Sequence, residues 1–291
     1  MSSHPKFRAA LIQLCSGREI APNMAAAEDL IRAAAADGAD YVQTPENTAL
    51  MELNTERLFA RIKPEAETAI LDDFARIARE LKIWLHIGSV AVQVHDRKAA
   101  NRAFIFAPDG SVAARYDKIH MFDVDLPSGE IYRESKNYRP GSEAIAVCLP
   151  WGIFGITTCY DLRFPEHYKA LAQAGACILT VPSAFTKQTG RAHWHVLLRA
   201  RAIETGCYML AAAQGGMHEN GRETYGHSII VSPWGEVIAE AGEESGIIFA
   251  EIDLTEVNAA RQRIPALNHV RSIDVRLVDP HGTMTLASLS R

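Results

Sequence analysis

The 291-residue chain contains no Cys-x-x-Cys pair. Its five cysteines, Cys15, Cys148, Cys159, Cys177 and Cys207, are odd in number and widely spread. That excludes a disulfide framework and a cysteine-type zinc site, and it points to a reducing cytoplasm. No run of eighteen apolar residues occurs, and residues 1–16 lack a sustained apolar stretch followed by a cleavage pattern. Neither a membrane span nor export is expected. Charge of one sign is also scarce: 30 Lys and Arg stand against 35 Asp and Glu, a net charge of −5. No basic stretch follows a phosphate backbone, so nucleic acid is not an expected partner. Finally, no Pro/Gly/Ser-rich linker divides the sequence, which favours one domain over two.

What is present reads as a globular α/β protein, 48% hydrophobic and 22% charged. Strand-like segments are expected at residues 7–15, 41–44, 84–94, 102–107, 111–116, 144–149, 153–158, 177–181, 208–213, 226–232 and 246–252. Helices are expected at 23–36, 64–82, 165–174, 193–205 and 255–263, the last with Thr255 as its cap. Residues 124–141, polar and rich in Pro and Gly, read as a long surface loop of the kind that carries function. Both halves look like two-layer α/β units, so one domain over residues 1–264 is expected. The tail, 265–291, is aperiodic and is expected to pack on a neighbouring element or on a partner subunit.

Cys159 stands apart from the other cysteines. The apolar strand ending at Thr158 gives way to Tyr160-Asp-Leu-Arg163, and a helix follows at Pro165. A side chain at such a strand-to-helix turn projects from the edge of a sheet, and the next backbone N–H, on Tyr160, can serve an oxyanion. The alternative is an ordinary buried free cysteine.

None of the eleven histidines has the setting of a thiol's partner. His193 and His195 flank Trp194 at a spacing that puts them on different helix faces. That argues for surface or capping roles and against a shared metal. A carboxylate can serve instead. Glu46 follows a short strand ended by Pro45, and desolvation there is expected to raise its pKa toward the working pH of a base. Lys118 follows another strand and would stabilise a developing oxyanion. Taken singly, Glu46 also fits an exposed acid and Lys118 a solvated charge.

Together the segments Thr44-Pro-Glu46, Tyr116-Asp-Lys118-Ile-His and Thr158-Cys159-Tyr-Asp-Leu-Arg-Phe-Pro-Glu166 resemble, in order and separation, the three catalytic segments of the nitrilase superfamily of carbon–nitrogen hydrolases. The resemblance spans residues 6–264. It implies a four-layer αββα sandwich that pairs into an eight-layer homodimer or builds a higher homo-oligomer. It also implies Glu46, Lys118 and Cys159 as a catalytic triad, with Glu134 in Tyr132-Arg-Glu-Ser-Lys as a fourth residue.

Further blocks, including Ala211-Ala-Ala-Gln214 and Arg133-Glu-Ser135, resemble the small-amidase branch. That branch includes deaminated glutathione amidase, toward which these blocks lean, and ω-amidase. The implied reaction is amide hydrolysis of a small anionic molecule through a thioester, with ammonia released and no metal or organic cofactor. Tyr160, Arg163, Phe185 and His193 are the candidate substrate-binding residues. For Arg163 an ion pair with Asp161 or Glu166 is the competing role. An N-carbamoyl or ureido amidohydrolase, a true nitrilase, a redox thiol at Cys159 and a non-catalytic interaction protein are the alternative functions.

Overall fold

Strand β1 (Lys6–Gln13) alternates strictly: Phe7, Ala9 and Leu11 face one layer, Ala10 and Ile12 the opposite one, and all five are buried. A strand with core on both faces belongs to the interior of a layered α/β protein. The computed structural model describes residues 6–95, 97–127 and 129–275. In chain order the next elements are α1 (Ile20–Ala36), β2 (Tyr41–Gln43), α2 (Thr55–Arg61), α3 (Ala69–Leu81), β3 (Trp84–His95), β4 (Lys98–Phe106), β5 (Val112–Asp117), β6 (Asp123–Asp125) and β7 (Ile131–Arg133). Then come β8 (Ile145–Cys148), β9 (Ile153–Ile156), α4 (Pro165–Gln173), β10 (Ile178–Thr180), α5 (Lys187–Thr205), β11 (Tyr208–Ala211), β12 (Gly215–Met217), β13 (Glu223–Tyr225), β14 (Ile229–Val231), β15 (Val237–Glu240), β16 (Gly246–Asp253) and α6 (Thr255–Arg263).

Two six-stranded sheets result, ordered β16-β1-β2-β3-β4-β5 and β15-β14-β11-β10-β9-β8. Each has a parallel centre, β1-β2-β3 in one and β9-β10-β11 in the other, flanked by antiparallel strands. The sheets face each other across Leu11, Tyr41, Ile105, Phe154, Ile178 and Leu210. The outer face of the first sheet is covered by α1 and α3 through Ile31, Phe74 and Ile77, and that of the second by α4 and α5 through Tyr168, Leu171, Trp194 and Leu198. The layers therefore run αββα, as the resemblance implies. Among the described residues no helix is long and apolar enough to cross a membrane.

Several local expectations are corrected. The helix expected over 64–82 is two pieces, a 3-10 turn Glu65–Glu67 and then α3. The Thr68 hydroxyl donates to the carbonyls of Lys63 and Pro64 and so competes with helix geometry there. Helix α5 begins six residues earlier than expected because Thr186 caps it, its hydroxyl accepting from the Thr189 N–H. At α6, Thr255 is the first helical residue and no cap; its N–H donates to Asp253 Oδ1 at 3.0 Å. The supposed loop 124–141 holds a ribbon, β6 paired with β7, closed by Arg133–Asp125 and by Phe122 packing on Tyr132. Helix α2 and strands β12, β13 and β15 add elements that periodicity did not reveal. After α6, Leu267 packs on the core under α4 and α5, while Val270, Ile273 and Val275 are exposed. Residues 276–291 of the tail lie outside the described residues.

Candidate active site

Strands β2 and β5 run in the same direction in one sheet, so the segments leaving their ends emerge at one edge. Glu46 follows β2 by three residues and Lys118 follows β5 directly; Cys159 follows β9 of the facing sheet by three residues. The sheets approach closely here. A Cβ on Gly88 would lie 2.3 Å from the Thr44 carbonyl oxygen and 2.4 Å from Pro182 Cβ, so only glycine fits.

The three candidate catalytic groups, Glu46, Lys118 and Cys159, meet in one cavity of about 350 Å³. Lys118 Nζ donates to Glu46 Oε1 at 2.9 Å and to the two Glu134 oxygens at 2.9 and 2.8 Å. Glu46 Oε1 also accepts from Asn101 Nδ2 at 2.8 Å, and its Oε2 accepts from the Ala184 N–H at 3.0 Å. The Cys159 thiol lines the same cavity as Glu46 and Lys118, within the field of both charges. Glu46, Lys118 and Cys159 are all almost fully buried. Cys159 has a backbone φ of +50°, a left-handed conformation that L side chains adopt at a cost, held here by its N–H donating to the Pro182 carbonyl at 3.0 Å.

Burial and charge set the protonation states. Burial pushes the Glu46 carboxyl up, but the Lys118 charge and the bonds from Cys159 and Lys118 outweigh it, and the net shift is downward. The expected upward shift is thus corrected: desolvation operates, but the ammonium 2.9 Å away wins. Burial opposes the charge on Lys118, yet Glu134 and Glu46 hold its pKa well above normal. The Cys159 thiol is pushed up, first by burial and then by the Glu46 charge. The resting arrangement is a carboxylate, an ammonium and a protonated thiol. Such a set can remove the thiol proton during attack and neutralise an oxyanion.

Of the candidate binding residues, Tyr160 and Phe185 line the cavity. Arg163 does not. Its guanidinium bonds the His193 ring nitrogen at 3.2 and 3.3 Å and stands over the rings of Tyr160 and Phe185; among the described residues it makes no ion pair with Asp161 or Glu166. His193 is likewise absent from the cavity wall.

Asn101, the Ala184 N–H and Arg222 were missed. Asn101 had a signal, a lone amide between Ala99-Ala100 and Ala103 in a buried strand; it bonds both Glu46 and Glu134. Among the described residues two clusters could hold a metal, His120 with Asp161 and His167, and His195 with His227 and Glu240. Neither contributes to the cavity wall, and Asp161 already accepts four hydrogen bonds.

An αββα sandwich with a thiol, a carboxylate and an ammonium gathered at its strand ends points to the carbon–nitrogen hydrolases. Residues 8–262 match the family described as carbon-nitrogen hydrolase, and the chain belongs to it; it is an enzyme that hydrolyses carbon–nitrogen bonds of amides. It is 40% identical over 271 residues to the deaminated glutathione amidase of Synechocystis sp., a match covering 90% of this chain and 97% of the relative. Among solved structures it resembles the Caenorhabditis elegans NitFhit protein, with 35% identity, a TM-score of 0.85, and coverage of 96% of this chain and 70% of the other. It also resembles Saccharomyces cerevisiae Nit3, a member of branch 10 of the nitrilase superfamily, with 30% identity, a TM-score of 0.82, and coverage of 91% and 97%.

Proposed function

We propose that the chain is a cysteine amidase of the deaminated glutathione amidase type, with Cys159 as nucleophile, Glu46 as base, Lys118 as oxyanion partner and Glu134 as the residue that positions Lys118. The observation that carries this reading is one cavity wall shared by the Cys159 thiol and by a buried carboxylate, Glu46, that is bonded to the Lys118 ammonium at 2.9 Å. The 40% identity to a deaminated glutathione amidase over most of both chains favours that substrate over the 2-oxo acid amides of an ω-amidase.

In this mechanism Glu46 accepts the thiol proton as Cys159 sulfur bonds to the amide carbon. The oxyanion is held by Lys118 and the Tyr160 N–H. As the carbon–nitrogen bond breaks, Glu46 returns the proton to the leaving nitrogen. Ammonia leaves from a primary amide and an amine from a deaminated glutathione, whose amides are secondary. Water, deprotonated by Glu46, then attacks the thioester; the carbon–sulfur bond breaks and the thiol is reprotonated. Tyr160 and Phe185 form walls of the acyl site, with Arg163 and His193 as outer support for their rings.

The test is amine and ammonia release from deaminated glutathione and from a panel of primary amides, with Cys159→Ala alongside. Turnover by the wild type and none by the variant is expected. Turnover that survives in Cys159→Ala rejects the covalent step, and carbon dioxide release from ureido substrates in place of amide turnover favours the carbamoyl reading.

A homodimer is also part of the proposal. The exposed apolar side chains Val196 and Ile203 on α5 and Trp234 nearby favour pairing along that face. The exposed Ile273 and Val275 favour a tail that reaches a partner. Sedimentation of wild type against Val196→Asp/Ile203→Asp tests the interface. Residues 1–264 as one catalytic domain and a cytoplasmic setting complete the reading, supported by the family match over 8–262 and by five unbridged thiols.

A further inference from the structure

The cations around the cavity are not equivalent. Lys118 is committed to Glu46 and Glu134, Arg133 pairs with Asp125, and Lys136 stands exposed. Arg222 differs from all three. It is half-buried and lines the cavity, yet no carboxylate among the described residues lies within ion-pairing distance of it.

Its backbone is fixed by the β12–β13 hairpin, where the His218 N–H donates to the Arg222 carbonyl and Asn220 Oδ1 accepts from the Arg222 N–H at 2.9 Å. Its guanidinium stands 5.2 Å from the centre of the Tyr132 ring, and one Nη donates to the Ala184 carbonyl. Its Nε is buried with no partner. A guanidinium offers five N–H donors, so most of this fork is unused. The charge of Arg222 reaches Glu46 only through space, with no ion-pair contact, and a bound carboxylate would meet both that charge and the unused Nη donors.

The position is also informative. Ala184 donates its N–H to Glu46 and its carbonyl accepts from Arg222, so the unpaired cation lies one residue's width from the base. The cavity already holds the carboxylates of Glu46, Glu52 and Glu134, which would repel an anionic substrate unless a cation beyond Lys118 received it.

We infer that Arg222 is the carboxylate receptor of the acyl site. The preferred substrates are then amides whose acyl chain carries a carboxylate of its own, the class to which a deaminated glutathione belongs. This rests on the amidase reading above and assigns to Arg222 the anion-binding role that sequence suggests for Arg163.

Two measurements on wild type, Arg222→Gln and Arg222→Lys test it. The first compares kcat/KM for glutaramate with that for pentanamide, its neutral counterpart of equal chain length. Loss of a bidentate charge-assisted contact should lower the glutaramate-to-pentanamide ratio by about tenfold or more in Arg222→Gln, through KM, with Arg222→Lys in between. A loss falling equally on both amides, or no loss, overturns the inference. The second needs no turnover: glutarate should protect Cys159 from the neutral alkylator iodoacetamide, and Arg222→Gln should need about ten times more of it. Absent protection in the wild type, or equal protection in both proteins, overturns the role of Arg222. Absent amide turnover with intact, Arg222-dependent protection overturns the amidase reading alone.

Discussion

The Tyr116 phenol donates to Asp161 Oδ2 at 2.6 Å, and this bond ties the segment carrying Lys118 to the turn carrying Cys159. The same carboxylate accepts from the Thr158 N–H at 2.8 Å and, on its other oxygen, from the His120 N–H at 3.0 Å and His120 Nδ1 at 2.7 Å. One buried acid thus fixes the distance between ammonium and thiol from both sides. Removing the phenol oxygen in Tyr116→Phe leaves a buried carboxylate short of one donor, a loss of about 1.5–3 kcal/mol. Denaturant titration should register it, and kcat should fall with KM little changed. A variant as stable and as fast as the wild type would show that this bond does not set the geometry.

Lys118→Ala should be slower than wild type by about 10²–10³ in kcat, the cost of one oxyanion-stabilising donor, about 2.7–4 kcal/mol. It should also be less stable, because Glu46 and Glu134 would then share a buried space with no cation between them. Rates measured on folded protein, checked by circular dichroism, separate the two effects. A folded variant at near-normal rate would remove Lys118 from the chemistry.

With Glu46 as the proposed base, its ionisation should set the acid limb of activity. Burial raises its pKa, the Lys118 charge and the bonds from Cys159 and Lys118 lower it further than burial raises it, and the result lies below the ordinary 4.5. The base works only when ionised, so kcat/KM should stay level as the pH falls toward 4.5 and decline only below it. Replacing Lys118 by Met removes the largest lowering influence and should move that limb upward. An acid limb near neutrality in the wild type would contradict this balance.

Local rules made the alternation of strands and helices legible, and polar residues just after a strand marked candidate edges; the αββα layer order and the meeting of the three segments came from the resemblance to the nitrilase superfamily. Distances between segments were not legible. The sequence supplies the desolvation of Glu46 but not the ammonium beside it, and that ammonium reverses the direction of the shift. Arg163, four residues after Cys159 in sequence, is the arginine that sequence proximity suggests for anion binding, while Arg222, 59 positions beyond it, lines the cavity from a hairpin that periodicity does not reveal. Ribbon β6–β7 escaped for a similar reason: three-residue strands carry too little pattern, and contacts across the ribbon such as the Phe122–Tyr132 packing and the Arg133–Asp125 pair specify them.

The two sheets touch at Gly88. Gly88 lies on β3 beneath the segment that carries Glu46, and an added methyl would meet backbone, the Thr44 oxygen at 2.3 Å and the Pro45 carbonyl carbon at 2.5 Å, as well as Pro182 at 2.4 Å. None of these is the free end of a flexible side chain, so the strain cannot be relieved by a rotamer change. Overpacking of this kind costs about 1–3 kcal/mol. The displacement would also fall on both sides of the site at once, because the Thr44–Pro45 backbone leads into Glu46 while the Pro182 carbonyl holds the Cys159 N–H. Gly88→Ala should therefore lose stability by denaturant titration and lose kcat beyond what the unfolded fraction explains. A variant that keeps full activity per folded molecule would mean that the inter-sheet contact supports the fold without fixing the separation of base and nucleophile.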